Sequence, residues 1–164
     1  MKQLCALVVV VLLSSCTLQS TQWNAISSVF SNKSVVGEQW LLRYEGLESR
    51  VVPVAVDSLI VFGNADDIAV VFDGWTITAV VGFGPALKIR ALVNDRIYSR
   101  GAGTTSHRCS EWLNTGMASG SIWRQRCETE FSYENRITLD SQGRIISIDQ
   151  VVDASGTRLN LKKL

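Results

Sequence analysis

Among 164 residues the chain has one histidine, His107, and its four cysteines include no Cys-x-x-Cys pair. With no His-x-x-x-His either, the usual zinc arrangements lack their ligands at workable spacing. There is no Gly-x-Ser-x-Gly elbow, so acyl-transfer chemistry would have to run through His107 as the sole imidazole base. Gly82-Phe83-Gly84-Pro85 has the glycines of a phosphate loop without its Gly-Lys-Ser/Thr ending, and Pro85 offers no N–H. It reads as a strand-ending turn. No calcium loop of the EF-hand type is present. Charge of one sign is lacking as well: 16 Lys+Arg face 15 Asp+Glu, a net charge of +1. A nucleic-acid binder normally carries a basic excess on one face, so no nucleic-acid partner is expected. No apolar run reaches the roughly 20 residues of a spanning helix. Val51–Phe62 is broken by Pro53, Asp57 and Ser58. A polytopic helical membrane protein is excluded.

What is there begins at the N-terminus. Lys2 precedes an apolar run from Leu4 to Leu13, and Ser14-Ser15 supply a small-residue exit. That is the pattern of a secretory signal peptide over residues 1–15. Leu13-Ser14-Ser15-Cys16 resembles the bacterial lipobox. The resemblance implies cleavage before Cys16, diacylglycerol on its sulfur, and attachment to the membrane through that lipid. Buried acyl carbons contribute about 0.8 kcal/mol per CH₂, and stable anchoring takes more than one chain. Thr17 rather than Asp follows the cysteine, which favours the outer membrane with the protein facing the periplasm. Loss of Lys2 with the leader makes the remaining chain formally neutral. The mean hydropathy of +0.16 is high for a soluble domain, and residues 1–15 supply essentially all of it.

Cys5 leaves with the leader and Cys16 carries the lipid, so Cys109 and Cys127 remain in a compartment where disulfides persist. The segment between them contains Gly116, Ser119, Gly120 and Ser121. A bridge closing it is expected to contribute about 3 kcal/mol on the loop-entropy model.

Three regions follow: residues 1–15, the leader; 16–34, the lipidated cysteine, a tether and a short helix; and 35–164, a single β domain. The helix is suggested by Trp23, Ile26 and Phe30 within Leu18–Ser31. From Val35 the texture changes to short β-branched runs between turns. Gln39–Glu45 alternates, Val51–Val56 and Ser58–Phe62 form two runs, and Ile68–Phe72 and Trp75–Val81 flank the hairpin signal Asp73-Gly74. Ala86–Arg100 fits a helix or a strand over Lys88–Val93, with the strand preferred. Gly101–Ser121 reads as loop. Ile122–Tyr133 reads as one strand, and Asn135–Asp140, Arg144–Val152 and Thr157–Leu161 complete a meander. No fixed-period repeat appears. The fold class is mainly β: an antiparallel curved sheet or barrel-like domain of about eight to ten strands, closed to hide its edges, with one short N-terminal helix.

Nothing in this pattern points to an enzyme or to a cofactor. His107 lies in Thr104-Thr105-Ser106-His107-Arg108, where an exposed loop histidine is expected, and most acidic residues fall in turns. Of the five tryptophans, Trp112 and Trp123 flank the glycine-rich loop between the cysteines. They are the candidate ligand or partner surface, since indoles stack on sugar rings and donate one N–H.

Three stretches resemble the bacterial lipoproteins of group 4 capsule and exopolysaccharide secretion (the YjbF/GfcB type). They are Phe72-Asp73-Gly74-Trp75-Thr76-Ile77-Thr78-Ala79-Val80-Val81-Gly82-Phe83; Trp123-Arg124-Gln125-Arg126-Cys127 with Asn135-Arg136-Ile137-Thr138-Leu139-Asp140; and Gly143-Arg144-Ile145-Ile146-Ser147-Ile148-Asp149-Gln150. With the lipidated start, the likeness spans residues 55–164. It implies a barrel-like periplasmic lipoprotein that helps polysaccharide secretion or assembly, contacting the glycan or export-machinery proteins, with no catalytic residues to carry over. The alternatives are a LolA/LolB-like carrier of lipid or lipoprotein, and a structural subunit of an envelope assembly complex.

Overall fold

The computed structural model describes residues 37–116 and 120–164. They form thirteen strands, with no helix among the described residues: β1 (Trp40–Tyr44), β2 (Leu47–Val56), β3 (Leu59–Gly63), β4 (Ala69–Phe72), β5 (Ile77–Val81), β6 (Leu87–Ala91), β7 (Asp95–Arg100), β8 (Gly103–Cys109), β9 (Leu113–Asn114), β10 (Ser121–Glu128), β11 (Ser132–Leu139), β12 (Ile145–Val151) and β13 (Arg158–Lys163). The expected Leu18–Ser31 helix, Cys16 and the leader lie outside the described residues.

Each strand from β1 to β8 pairs antiparallel with the next. β8 passes to β10, β10 to β11, and β11 through β12 to β13. Pairing of β13 with β1, Leu161 opposite Leu42, closes a twelve-stranded barrel and removes the long free edges an open sheet would have. The two-residue β9 lies further along the same edge of β10 that β8 occupies. In an antiparallel ring of even number, the turns after β2, β4, β6 and β11, the β8–β10 crossover, the start of β1 and the end of β13 share one rim. The remaining turns share the other.

Alternation along the strands puts apolar groups inside and charges outside. One apolar row crosses five strands in register: Leu42, Leu161, Ile148, Ile137 and Trp123. Leu42, Ile148, Leu161, Phe62 and Phe72 are fully buried, each contributing about 1.5 to 3 kcal/mol. The outer face of β10 to β13 carries the ion pairs Arg124–Glu134, Arg136–Glu134 and Arg158–Asp149. A membrane-spanning barrel presents the reverse pattern, with an apolar band outward. Two seams are thin. β5 meets β6 only at Ala79–Lys88 and Val80–Leu87, and β8 meets β10 only at Cys109–Cys127 and Arg108–Glu128.

Three sequence expectations need correction. Gly101–Ser121 is not all loop: β8 runs through Thr104-Thr105-Ser106-His107, polar on both faces because its inner face meets tyrosines rather than aliphatic groups. Ile122–Tyr133 is two strands, since the chain turns at Thr129–Phe131, where the Thr129 N–H binds the Phe131 carbonyl at 3.0 Å. The strand count of eight to ten rises to twelve in the ring, partly because Ala86–Arg100 holds both β6 and β7. The turn at Gly82-Phe83-Gly84-Pro85 is where it was expected. Gly82, at φ +96°, passes so close to the neighbouring turn that a Cβ would meet the Asp67 carbonyl oxygen at 2.8 Å.

Candidate functional site

The apolar row ends at Trp123, and two residues along β10 the inner face becomes polar at Gln125. Beside it lie Asn135 of β11, Gln150 of β12 and Arg96 of β7, all buried in the barrel. The Arg96 Nε donates to Gln125 Oε1 at 2.7 Å and its Nη1 to Gln150 Oε1 at 3.0 Å. Asn135 Nδ2 donates to Gln125 Oε1 at 3.3 Å, and its Oδ1 accepts from the Val151 N–H at 2.9 Å. Gln150 Nε2 donates to the Trp75 carbonyl at 2.7 Å, while Gln150 Oε1 also accepts from the Ile77 N–H at 3.1 Å. One glutamine therefore ties β12 to the β4–β5 hairpin on the opposite wall. Gln125 Nε2 in turn holds the Ser110 carbonyl at 3.0 Å, just past the Cys109–Cys127 disulfide.

Arg96 is 1% exposed and has no carboxylate in hydrogen-bonding contact. Burial lowers its pKa, opposed by Tyr98, Tyr133 and, through space, Asp73. Its Nη2 has no hydrogen-bond partner, and the guanidinium carbon sits 5.7 Å from the centre of the Trp112 ring. Holding a buried cation with neutral amides alone costs stability, so this arrangement is maintained at some expense.

Above this network, on the rim where the chain enters β1, lies a cleft of about 430 Å³. Its walls come from three elements: Asp73, Trp75 and Thr76 of the β4–β5 hairpin, Ala91–Val93 of the β6–β7 hairpin, and Ser110–Trp112 of the crossover. It opens where β5 and β6 part above their two-pair seam. Trp75 is 45% exposed yet fixed. Its backbone N–H donates to Asp73 Oδ1 at 2.8 Å, its backbone carbonyl is held by Gln150, and its ring packs edge-on to Trp123 at 4.9 Å and tilted to Trp112 at 5.8 Å. Leu92, Val93 and the neighbouring Leu113 are exposed. The volume falls in the range of small-molecule sites, and the lining mixes aromatic walls with a few convergent polar groups.

Trp112 and Trp123, singled out by sequence, thus lie in one cluster, and Trp75 joins them. The sequence pattern puts Trp75 in the strand Trp75–Val81, but β5 begins at Ile77 and Trp75 occupies the hairpin turn, which lets its ring lie over the barrel mouth. Arg96, Gln125 and Gln150 carried no sequence signal as a group, because they come from three strands and meet only on closure. Cys109 and Cys127 are bonded, clamping the thin β8–β10 seam at a directly opposed pair.

His107 is not in an exposed loop. It is 1% exposed on β8, its Nδ1 2.8 Å from the Tyr133 hydroxyl, which is 2.8 Å from that of Tyr98. Its ring stacks at a tilt against Tyr98, 4.6 Å away. Burial lowers the imidazole pKa, opposed by the Ala154 backbone and the Asp153 carboxylate. Burial likewise raises the pKa of both tyrosines. No group of three or more His, Cys, Asp or Glu side chains suited to a metal ion occurs among the described residues.

No family model and no curated protein matches the chain. Among solved structures, the fold is similar to that of the hypothetical lipoprotein YmcC from Escherichia coli (K12), with a TM-score of 0.59 and 13% identity. The match covers 86% of this chain and 93% of that one, so the likeness of fold extends over most of both.

Proposed function

We propose that this chain is an outer-membrane-anchored periplasmic lipoprotein with a non-catalytic role in capsule or exopolysaccharide secretion or assembly. The observation that carries this reading is the pairing of a lipobox-like Leu13-Ser14-Ser15-Cys16 with a barrel whose fold is shared by a lipoprotein. The resemblance over residues 55–164 supplies the polysaccharide link. Two features support a non-catalytic role. The one imidazole is sealed against tyrosines, and the exposed cleft is built for contact, with aromatic walls and fixed polar groups. A lipid carrier needs an empty apolar lumen, and here Leu42, Phe62, Phe72 and Leu161 fill it.

Gene deletion tests the reading. Surface polysaccharide should fall, and recover with the intact chain but not with Cys16→Ala. Unchanged polysaccharide after deletion would overturn it. Labelling with a palmitate analogue, lost in Cys16→Ala, tests the anchor separately.

A further inference from the structure

We propose that the cleft between Trp75 and Trp112 binds a neutral glycan, a short run of uncharged pyranose rings, an inference that rests on the polysaccharide reading above. The first support is the state of Trp75. A half-exposed indole is normally free to move, but here the Trp75 backbone is held at its N–H and its carbonyl, and the ring packs against two neighbouring indoles. A platform fixed before binding loses little entropy when a ligand lies on it. The C–H face of a pyranose ring is the flat, weakly apolar surface that stacks on an indole.

The second support is the polar rim. Asp73 Oδ1 is used by the Trp75 and Thr76 N–H groups at 2.8 and 2.6 Å. Asp73 Oδ2 and the Glu111 carboxylate have no hydrogen-bond or ion-pair partner among the described residues, and both residues line the cleft. Such carboxylates accept from hydroxyl groups around a sugar ring, and charged acceptors make the stronger hydrogen bonds.

The charge balance selects neutral over acidic sugars. The cation nearest the cleft floor, Arg96, is covered by Trp112 and Gln125, and its charge is partly offset by Asp73. Glu111 then leaves the mouth negative. A uronate or phosphate would approach two carboxylates while the guanidinium stays beneath the side chains.

The test uses the full lipidated chain in detergent micelles, titrated calorimetrically with short neutral oligosaccharides of glucose, galactose and mannose. Uronic-acid oligosaccharides of matched length form a second arm, and an apolar peptide a third. At least one neutral series should bind, with a shift in tryptophan fluorescence. Trp75→Ala and the surface change Glu111→Gln should each weaken binding about tenfold, while Glu48→Gln on the far rim leaves it unchanged. Because Glu111 is exposed, its substitution does not depend on refolding the hairpin. No binding in the neutral arm, tighter binding of uronates, binding of the peptide alone, or neutral binding indifferent to Glu111→Gln would overturn the assignment. The deletion phenotype separates the two readings. Reduced polysaccharide without glycan binding sinks only the cleft, whereas glycan binding with unchanged polysaccharide sinks only the secretion role.

Discussion

Gln150 donates its amide N–H to the Trp75 carbonyl at 2.7 Å, joining residues 75 positions apart on opposite walls of the barrel. The same amide oxygen receives the Arg96 Nη1 and the Ile77 N–H. A buried core and a half-exposed indole are therefore linked through one side chain. Gln150→Leu should leave a cation donor, a backbone donor and a backbone acceptor unpaired. We expect a loss of about 3 to 5 kcal/mol in urea unfolding, with Trp75 more accessible to collisional fluorescence quenchers. Unfolding indistinguishable from the parent chain would show that the bridge contributes nothing.

Arg96 makes the opposite case, a charge whose removal need not be fatal. Arg96→Met keeps apolar volume and removes the desolvation penalty, though it leaves Gln125 and Gln150 with fewer donors. Arg96→Lys keeps the charge and loses the planar fork. Arg96→Lys should be less stable than Arg96→Met in thermal unfolding, because an ammonium cannot reach both amides or lie against Trp112 as the guanidinium does. The reverse order would show that charge, not shape, matters at this site.

The disulfide clamps a seam with only two register pairs. Cys109→Ala/Cys127→Ala should lower stability by about 3 kcal/mol, the loop-closure value for this separation. Amide hydrogen exchange should rise first in β8 and the crossover bearing Trp112. Uniform exchange across all strands would argue against a local clamp.

His107 is the chain's single histidine, so one residue can be tested for pH dependence in the mild-acid range. Burial depresses its folded-state pKa below the ordinary value of 6.5. Between the two values the unfolded chain binds the proton and the folded chain does not. The stabilisation is thus complete above about pH 6.5 and is lost as pH falls towards the folded pKa. Urea midpoints should decline from about pH 7 to pH 5. His107→Gln should flatten that decline, and a slope unchanged by the substitution would assign it elsewhere.

How far the sequence carried the fold can be read from single strands. β1 and the Asp73-Gly74 hairpin were legible because aliphatic alternation and turn chemistry are local signals. β8 was not, since Thr104, Thr105 and Ser106 are exposed polar residues and His107 faces inward where an aliphatic residue is usual, which breaks the apolar pattern by which strands are recognised. Closure through Leu42 and Leu161 was expected only in general terms, because that pairing joins the two ends of the domain. In the site, Trp112 and Trp123 were legible from their place between the cysteines. Trp75 looked like a strand residue, and Arg96 lay in an ambiguous stretch whose charge gave no hint of burial.

The evenness of the ring has a geometric consequence. Twelve antiparallel strands return the chain to the rim where it entered, as the Leu164 N–H bonded to the Gln39 carbonyl at 2.9 Å records. The cleft opens on that same rim. In a chain anchored at Cys16, the roughly 20 residues from there to Gly37 can span at most about 75 Å. Their point of attachment lies on the rim that carries the cleft, so shortening that stretch would draw this rim, rather than the opposite one, towards the bilayer.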